Sequence, residues 1–310
     1  MVTPRPRRRT SPCFMGWGMT MRTWLLAPAL AVVSLFSGSA AWAQAKPIET
    51  VKRTGQWVVN FDDDSCELIG TFGPAEDRTL LRFSRFSLSD SLDIAVLGNR
   101  VNSRTPWLKV KLDFGGNAKP IERQAGGGSL GTYPAIFVTN VRLDGWQDND
   151  ENDAEAPPIT AEQEAAVTGM QVAVEGKKPF RLEFGPLDKP MIVMRQCLDN
   201  LVRHWGYDPA ALKGLTRPLK PVSNPGTWFN GVDFPSEAQS AGHNGLLRFR
   251  LDIDEKGAVA GCHILTRSKP DEFSVPTCKR LTARGRFRPA LDSSGQPIRA
   301  FYLGSISWKA

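Results

Sequence analysis

The sequence predicts an α+β protein: a β-rich antiparallel N-terminal domain followed by a small β-β-α-β domain. Three observations carry this expectation. Short runs with period-two alternation or β-rich content recur after Lys46 between Gly, Asp, Asn and Pro clusters. A single apolar stripe at helical period then follows. Beyond it a Pro-rich stretch, RPLKPVSNPG (217–226), precedes a second set of alternating strands. The expected organisation is a leader at 1–43, a β-rich domain at 46–215, a linker at 216–227 and a C-terminal domain at 228–310.

The leader is read from its own chemistry. Arg5, Arg7, Arg8, Arg9 and Arg22 precede the apolar run WLLAPALAVVSLFSGSA, which leads to Ala41-Trp42-Ala43. A basic region, an apolar region and a small-x-small site make a secretory signal peptide. Met19 or Met21 would begin a more ordinary signal, and Cys13 would then have no role in the mature protein. The chain carries a net charge of +7, and five of those positive charges lie in residues 1–43. The basic pI of about 9.3 therefore reports targeting, and nucleic acid is excluded as a partner for want of a clustered basic footprint. The expected location is the periplasm. Retention of the 24–43 segment would instead anchor the protein in the inner membrane facing the periplasm. Pro28 and Gly38 make that run a poor membrane span, which needs about 20 mainly apolar residues.

The β-rich runs, in order, are GQWVVNF, CELIGTF, TLLRFSRF, LDIAVLG, WLKVKLDF, AIFVTNVRL, MQVAVE and PFRLEF. The acidic stretch DNDENDAEAPP (148–158) interrupts them as a solvated loop, and TAEQEAAV (160–167) is short enough for one or two helical turns. In KPMIVMRQCLDNLVRHWG, residues Met194, Cys197, Leu198, Leu201, Val202 and Trp205 share one helical face. Pro190 suits the first turn and Gly206 the stop. In the C-terminal domain, Leu247, Phe249, Leu251 and Ile253 alternate with Arg248, Arg250 and Asp252. DEKG (254–257) turns the chain and AVAGCHILT returns as a second strand. Ser274 caps a helix with Pro276 in its first turn, running to Gly285. IRAFYLGSISW (298–308) is the last strand.

Without residue 13 the chain has four cysteines, Cys66, Cys197, Cys262 and Cys278. An even count in an exported protein suggests two disulfides, for which sequence allows three connectivities. Cys262 lies on the second C-terminal strand and Cys278 in the helix, on faces that meet across the core, so a structural bridge is the preferred reading. The helix stripe turns Cys197 toward the β-rich core, where Cys66 is a candidate partner. A metal site at Cys262, His263 and Cys278 lacks paired ligand spacing, and a redox site lacks Cys-x-x-Cys.

The last domain resembles the C-terminal domain of the TonB family, the energy transducers of outer-membrane transport. The carrying residues are VDFP (232–235), the hairpin GLLRFRLDIDEKGAV, RFRPA (286–290) and GQPI (295–298) before the final strand. The resemblance spans about residues 228–308 and is similar to an exported proteobacterial subgroup with an extra cysteine pair. It implies a helix packed on an antiparallel sheet and a protein partner, an outer-membrane transporter or another envelope protein. It implies recognition by strand addition at an open edge. The candidate edge is the last strand, with Phe301, Tyr302, Leu303, Ile306 and Trp308. The chain departs from the family where Thr266-Arg267-Ser268-Lys269 replaces the common Ser-Ser-Gly, and where a β-rich domain replaces the long Pro-rich spacer. The resemblance implies the fold rather than force transduction; an uncleaved 24–43 segment would restore the transducer reading.

Enzyme signals are weak. Gly127-Gly128-Ser129-Leu130-Gly131 matches GxSxG, which would make Ser129 the nucleophile of a secreted serine hydrolase. That motif needs a strand before and a helix after it, and the Gly cluster here reads as a flexible loop. DNDEND (148–153) has Asp153 where a calcium loop needs Gly, and Ile159 where it needs Glu. HExxH, GxxxxGK[ST] and GxGxxG are missing. The expected function is non-enzymatic binding, with no cofactor and no metal.

Overall fold

A computed structural model describes residues 47–147 and 156–310. The leader, Cys13, the 24–43 segment and DNDEND lie outside the described residues.

Ten strands form one sheet. They are β1 (Glu49–Lys52), β2 (Val58–Phe61), β3 (Cys66–Phe72), β4 (Thr79–Arg85), β5 (Leu92–Leu97), β6 (Trp107–Asp113), β7 (Ile121–Leu130), β8 (Tyr133–Val141), β9 (Gly169–Val174) and β10 (Phe180–Glu183). Their order is β1-β10-β9-β6-β7-β8-β5-β4-β3-β2. The sheet curls until its first strand reaches β3. Arg53 bridges to Phe72, the Thr54 N–H donates to Thr71 O (2.9 Å) and the Gly73 N–H to Lys52 O (3.1 Å). This seam closes a barrel, which removes most of the unpaired backbone an open sheet would leave.

Period-two burial fills the barrel. Cys66, Leu68 and Phe72 point inward from β3, and Leu108, Val110 and Leu112 from β6. Trp57, Phe72, Phe83 and Phe184 meet edge to face or tilted, with centroids 5.8 to 6.5 Å apart. Helix α1 (Ala161–Ala166) starts at a capping box between Thr160 and Gln163. Helix α2 (Asp188–His204) lays the predicted stripe on the barrel core: Met194, Cys197, Leu198 and Leu201 belong to it, Trp205 packs against it, and Met191 extends it by one turn. Truncating one such residue to alanine typically costs about 2–5 kcal/mol. Helix α3 (Pro209–Lys213) follows, capped by Asp208.

The reading of the Gly cluster at 127–131 as a flexible loop is corrected by the structure. IERQAGGGSL is strand β7, paired along β6 and β8. The glycines disguise a strand because low β propensity is overridden by packing. A β-carbon at Gly127 would collide with the Thr105 carbonyl oxygen, so the strand passes where only glycine fits. The turn falls at Gly131, with φ of 59°.

The C-terminal residues add β11 (Lys220–Pro221), α4 (Ser236–Ser240), β12 (Gly245–Ile253), β13 (Val259–Arg267) and α5 (Ser274–Arg284). They end with β14 (Phe287–Arg288), β15 (Ala290–Leu291), β16 (Pro297–Ile298) and β17 (Ala300–Trp308). The main sheet has order β13-β12-β17 and is antiparallel. Its odd-numbered β12 face, with Leu247, Phe249, Leu251 and Ile253, is buried. Those residues pack with Leu281 of α5, Phe273, Phe287 and Trp308 in two adjoining clusters. Ser274 does not cap α5: the helix begins at Ser274 itself and its hydroxyl turns back to Asp271.

The alternate β12 face is not left in water. Arg248 donates from Nε to Asp93 Oδ2 (2.6 Å) and stacks 4.6 Å from the Phe86 ring centroid. Arg250 lies 4.3 Å from the Trp205 ring centroid, and Tyr207 donates to Asp252 Oδ1 (2.9 Å). Residues 47–310 accordingly form one compact unit, with the barrel covering the back of the C-terminal sheet.

Candidate functional site

The two cysteine pairs settle which connectivity the chain uses. Cys66 on β3 bonds Cys197 on α2, with Cα atoms 6.0 Å apart. Cys262 on β13 bonds Cys278 on α5, with Cα atoms 5.6 Å apart. Both distances suit an unstrained bridge. His263, next to the first sulfur of that pair, points to the other face and contacts Asp252 Oδ2 at 2.7 Å. No group of metal-binding side chains occurs among the described residues.

Ser129 lies inside β7, opposite Pro134 of β8. A turn and a second strand follow it, so the strand-to-helix elbow of a hydrolase is absent. His243 contacts Glu272 (2.9 Å) and His263 contacts Asp252. His204 ends α2.

The last strand is an edge. β17 pairs with β12 on one side and, among the described residues, with no strand on the other. The direction of its backbone groups follows from the ladder. In antiparallel pairs, successive residues alternate the side to which N–H and C=O point. The Ser268 N–H donates to Leu246 O (2.9 Å) and the Asp254 N–H to Ala258 O (3.0 Å). Even-numbered β12 residues thus face β13, and odd-numbered ones face β17. Leu247 is opposite Ile306, Phe249 opposite Gly304 and Leu251 opposite Tyr302. Tyr302, Gly304 and Ile306 consequently turn their backbone groups to β12. Leu303, Ser305 and Ser307 turn theirs outward.

Beside this edge runs a groove of about 490 Å³. Trp228, Phe229 and Phe234 line one wall, and Tyr302 and Ile306 the other. The first wall is held by charge. Asp233, its side chain fully buried, accepts from Arg284 (2.5 and 3.1 Å) and Arg280 (2.7 Å) of α5. Arg284 also donates to Trp228 O (2.7 Å). The hydrogen bonds from Arg284 hold the Asp233 carboxyl below the ordinary carboxylate range. Gly304 keeps the second wall narrow, since a β-carbon there would press on the Phe249 ring.

The five residues singled out on the last strand divide by face. Tyr302, Ile306 and Trp308 point into the C-terminal core; Trp308 is buried and donates to Thr277 Oγ1 (3.1 Å). Burial raises the Tyr302 phenol above its usual range. Phe301 turns the other way, with its ring centroid 5.3 Å from Trp205 and 5.2 Å from Tyr207. Leu303 shares that face by alternation. Lys309, also on it, sits 4.6 Å from the Trp107 ring centroid and donates to Gln124. The strand is therefore braced by the barrel at both ends, and what it offers outward is backbone rather than aromatic anchors.

At the brace, desolvation alone would raise the Asp252 carboxyl. Hydrogen bonds from His263 and Tyr207, together with Arg250, outweigh it and bring the group below its ordinary range. Tyr207 in turn is raised by burial and by its bond to Asp252. Both groups stay in their donor and acceptor forms at neutral pH, which keeps the brace intact.

Sequence reasoning did not find the groove wall or the brace. VDFP was visible as a motif and residues 274–285 as a helix, but their pairing through Asp233 is a tertiary fact. The alternating Arg248, Arg250 and Asp252 carried the signal of a solvent face, which a docked polar face shares.

Residues 230–310 match the family described as Gram-negative bacterial TonB protein C-terminal. No curated protein matches the chain.

Proposed function

Taking the TonB C-terminal match of residues 230–310 as premise, we propose that this protein is an exported, non-enzymatic binding protein of the cell envelope. It holds an extended segment of a protein partner, an outer-membrane transporter or another envelope protein, along the outer edge of β17. The observation that carries the reading is the row of outward backbone groups at Leu303, Ser305 and Ser307 beside an aromatic groove. Main-chain hydrogen bonds supply affinity in strand addition, and pockets for alternate side chains supply selectivity. The matched family is non-enzymatic, which supports a binding role. Among the described residues no helix is long and apolar enough to cross a membrane.

Ser305→Pro tests the edge. Proline removes an outward N–H without touching the β12 ladder, and edge strands tolerate it there. The expected result is an unchanged circular dichroism spectrum and thermal midpoint. Affinity for peptides spanning the periplasm-facing segments of the host's outer-membrane transporters should fall at least about tenfold, since one hydrogen bond and its geometry are lost. Ser305→Ala should bind as the parent does. A folded Ser305→Pro protein that binds those peptides undiminished would remove β17 as the site.

A further inference from the structure

The groove beside β17 is bounded at two ends and open between them. At one end the Trp228 ring centroid lies 6.2 Å from that of Tyr302. At the other, Phe229 and Phe234 lie 5.4 and 5.6 Å from Trp308. Tyr302, Gly304, Ile306 and Trp308, which share one face of β17, all line it. Gly304 and Ile306 stand between the bounded ends, so the open space lies over the middle of the strand. Ser305 and Ser307 line it as well, so it reaches the free edge. The Phe249 ring occupies the room that a side chain at position 304 would need, and it too lines the groove.

These walls select by chemistry. Among the described residues no carboxylate lines the groove, and its one cation, Lys309, is already engaged with Gln124 and the Trp107 ring. A charged side chain would lose its hydration there without gaining a partner. Phe229, Phe234, Tyr302 and Ile306 are only half-buried, so an apolar occupant would remove their remaining surface from water. Most of that surface is aromatic, and rings pair favourably with rings in offset and edge-to-face arrangements.

Strand addition fixes which residue of a guest reaches the groove; this step rests on the edge reading above. Residues directly opposite in neighbouring strands put their side chains on the same face. A guest residue opposite Leu303 or Ser305 therefore points to the barrel side, and one opposite Gly304 points over the groove. Gly304 has no side chain to compete with it, and a ring placed across from an edge glycine packs over bare backbone. We propose that the guest segment carries an aromatic residue opposite Gly304, whose ring enters the groove against Phe249. The free edge then supplies affinity for any extended segment, and the groove chooses among them.

The test uses the transporter peptides of the Ser305→Pro assay, with each residue of the tightest-binding peptide changed in turn to serine. One aromatic residue should dominate. Its loss should weaken binding about tenfold to a hundredfold, and loss of either neighbour less than about threefold. Phe229→Ala should weaken the parent peptide at least about tenfold and leave the serine form unchanged, the non-additivity of a direct contact. Ser305→Pro should weaken both peptides alike. A flat scan, or one dominated by a residue that is not aromatic, overturns the proposal. So do equal losses for both peptides on Phe229→Ala. If Ser305→Pro still weakens binding in those cases, the groove falls alone and the edge stands. Binding that Ser305→Pro leaves untouched removes the edge, and this register with it.

Discussion

Replacing Cys66 and Cys197 together by alanine should destabilise the 47–310 unit by about 4–5 kcal/mol, the largest effect expected from any paired substitution here. The reason lies in the unfolded chain. The bridge joins residues 131 apart in sequence, and closing a longer loop removes more freedom from the denatured ensemble. Both sulfurs are buried between β3 and α2, so the change also leaves a cavity at the junction of helix and barrel. The bridge between Cys262 and Cys278 spans only 16 positions, and its removal should cost about 3 kcal/mol. Urea unfolding of the two double variants measures both. Equal losses, or a smaller loss for the longer loop, would show that loop entropy does not set the ranking.

Arg248→Ala should uncouple the barrel from the C-terminal sheet. Its guanidinium is bidentate to Asp93 and lies over Phe86, with side-chain exposures of 12% and 19% for the ion pair. Without it, Asp93 keeps the Asn140 N–H (3.0 Å) but loses its cation. Breaking a mostly buried pair from one side costs about 2–4 kcal/mol once partial exposure is allowed for. Because the pair joins two cores, the loss should appear as two unfolding transitions in place of one. A cycle with Asp93→Ala should return a coupling of about 1–3 kcal/mol. One unchanged transition, with additive single effects, would mean that Trp205, Tyr207, Phe301 and Lys309 hold the two sheets together without it.

Much of this architecture was legible because it rests on periodicity. The stripe through Met194, Cys197, Leu198 and Leu201 defined α2 and the direction of Cys197. Alternation through Leu247 to Ile253 defined the buried face of β12, and strand period with helix period placed Cys262 toward Cys278. Strand β7 was not legible, since Gly126, Gly127 and Gly128 erase alternation, and the reason for Gly127 is the Thr105 backbone of a neighbouring segment. β1 was missed because ETVK is short and polar, with only Val51 buried. At the candidate site, the edge strand could be read from its alternation. The aromatic wall at 228–234 could not, because it follows a Pro-rich stretch without period and is held by Arg280 and Arg284 from another element. The docked face of Arg248, Arg250 and Asp252 was hidden for a simpler reason. Polar residues at every second position look the same whether they meet water or a complementary surface.

Amide hydrogen exchange on β17, with and without a bound transporter peptide, tests the edge-binding claim most directly. Backbone pairing with a guest strand would slow exchange at Leu303, Ser305 and Ser307 at least about a hundredfold, and would leave Gly304 and Ile306, already bonded to β12, nearly unchanged. A bound peptide that leaves those three amides exchanging as in the free protein, or that protects β13 instead, would contradict the account.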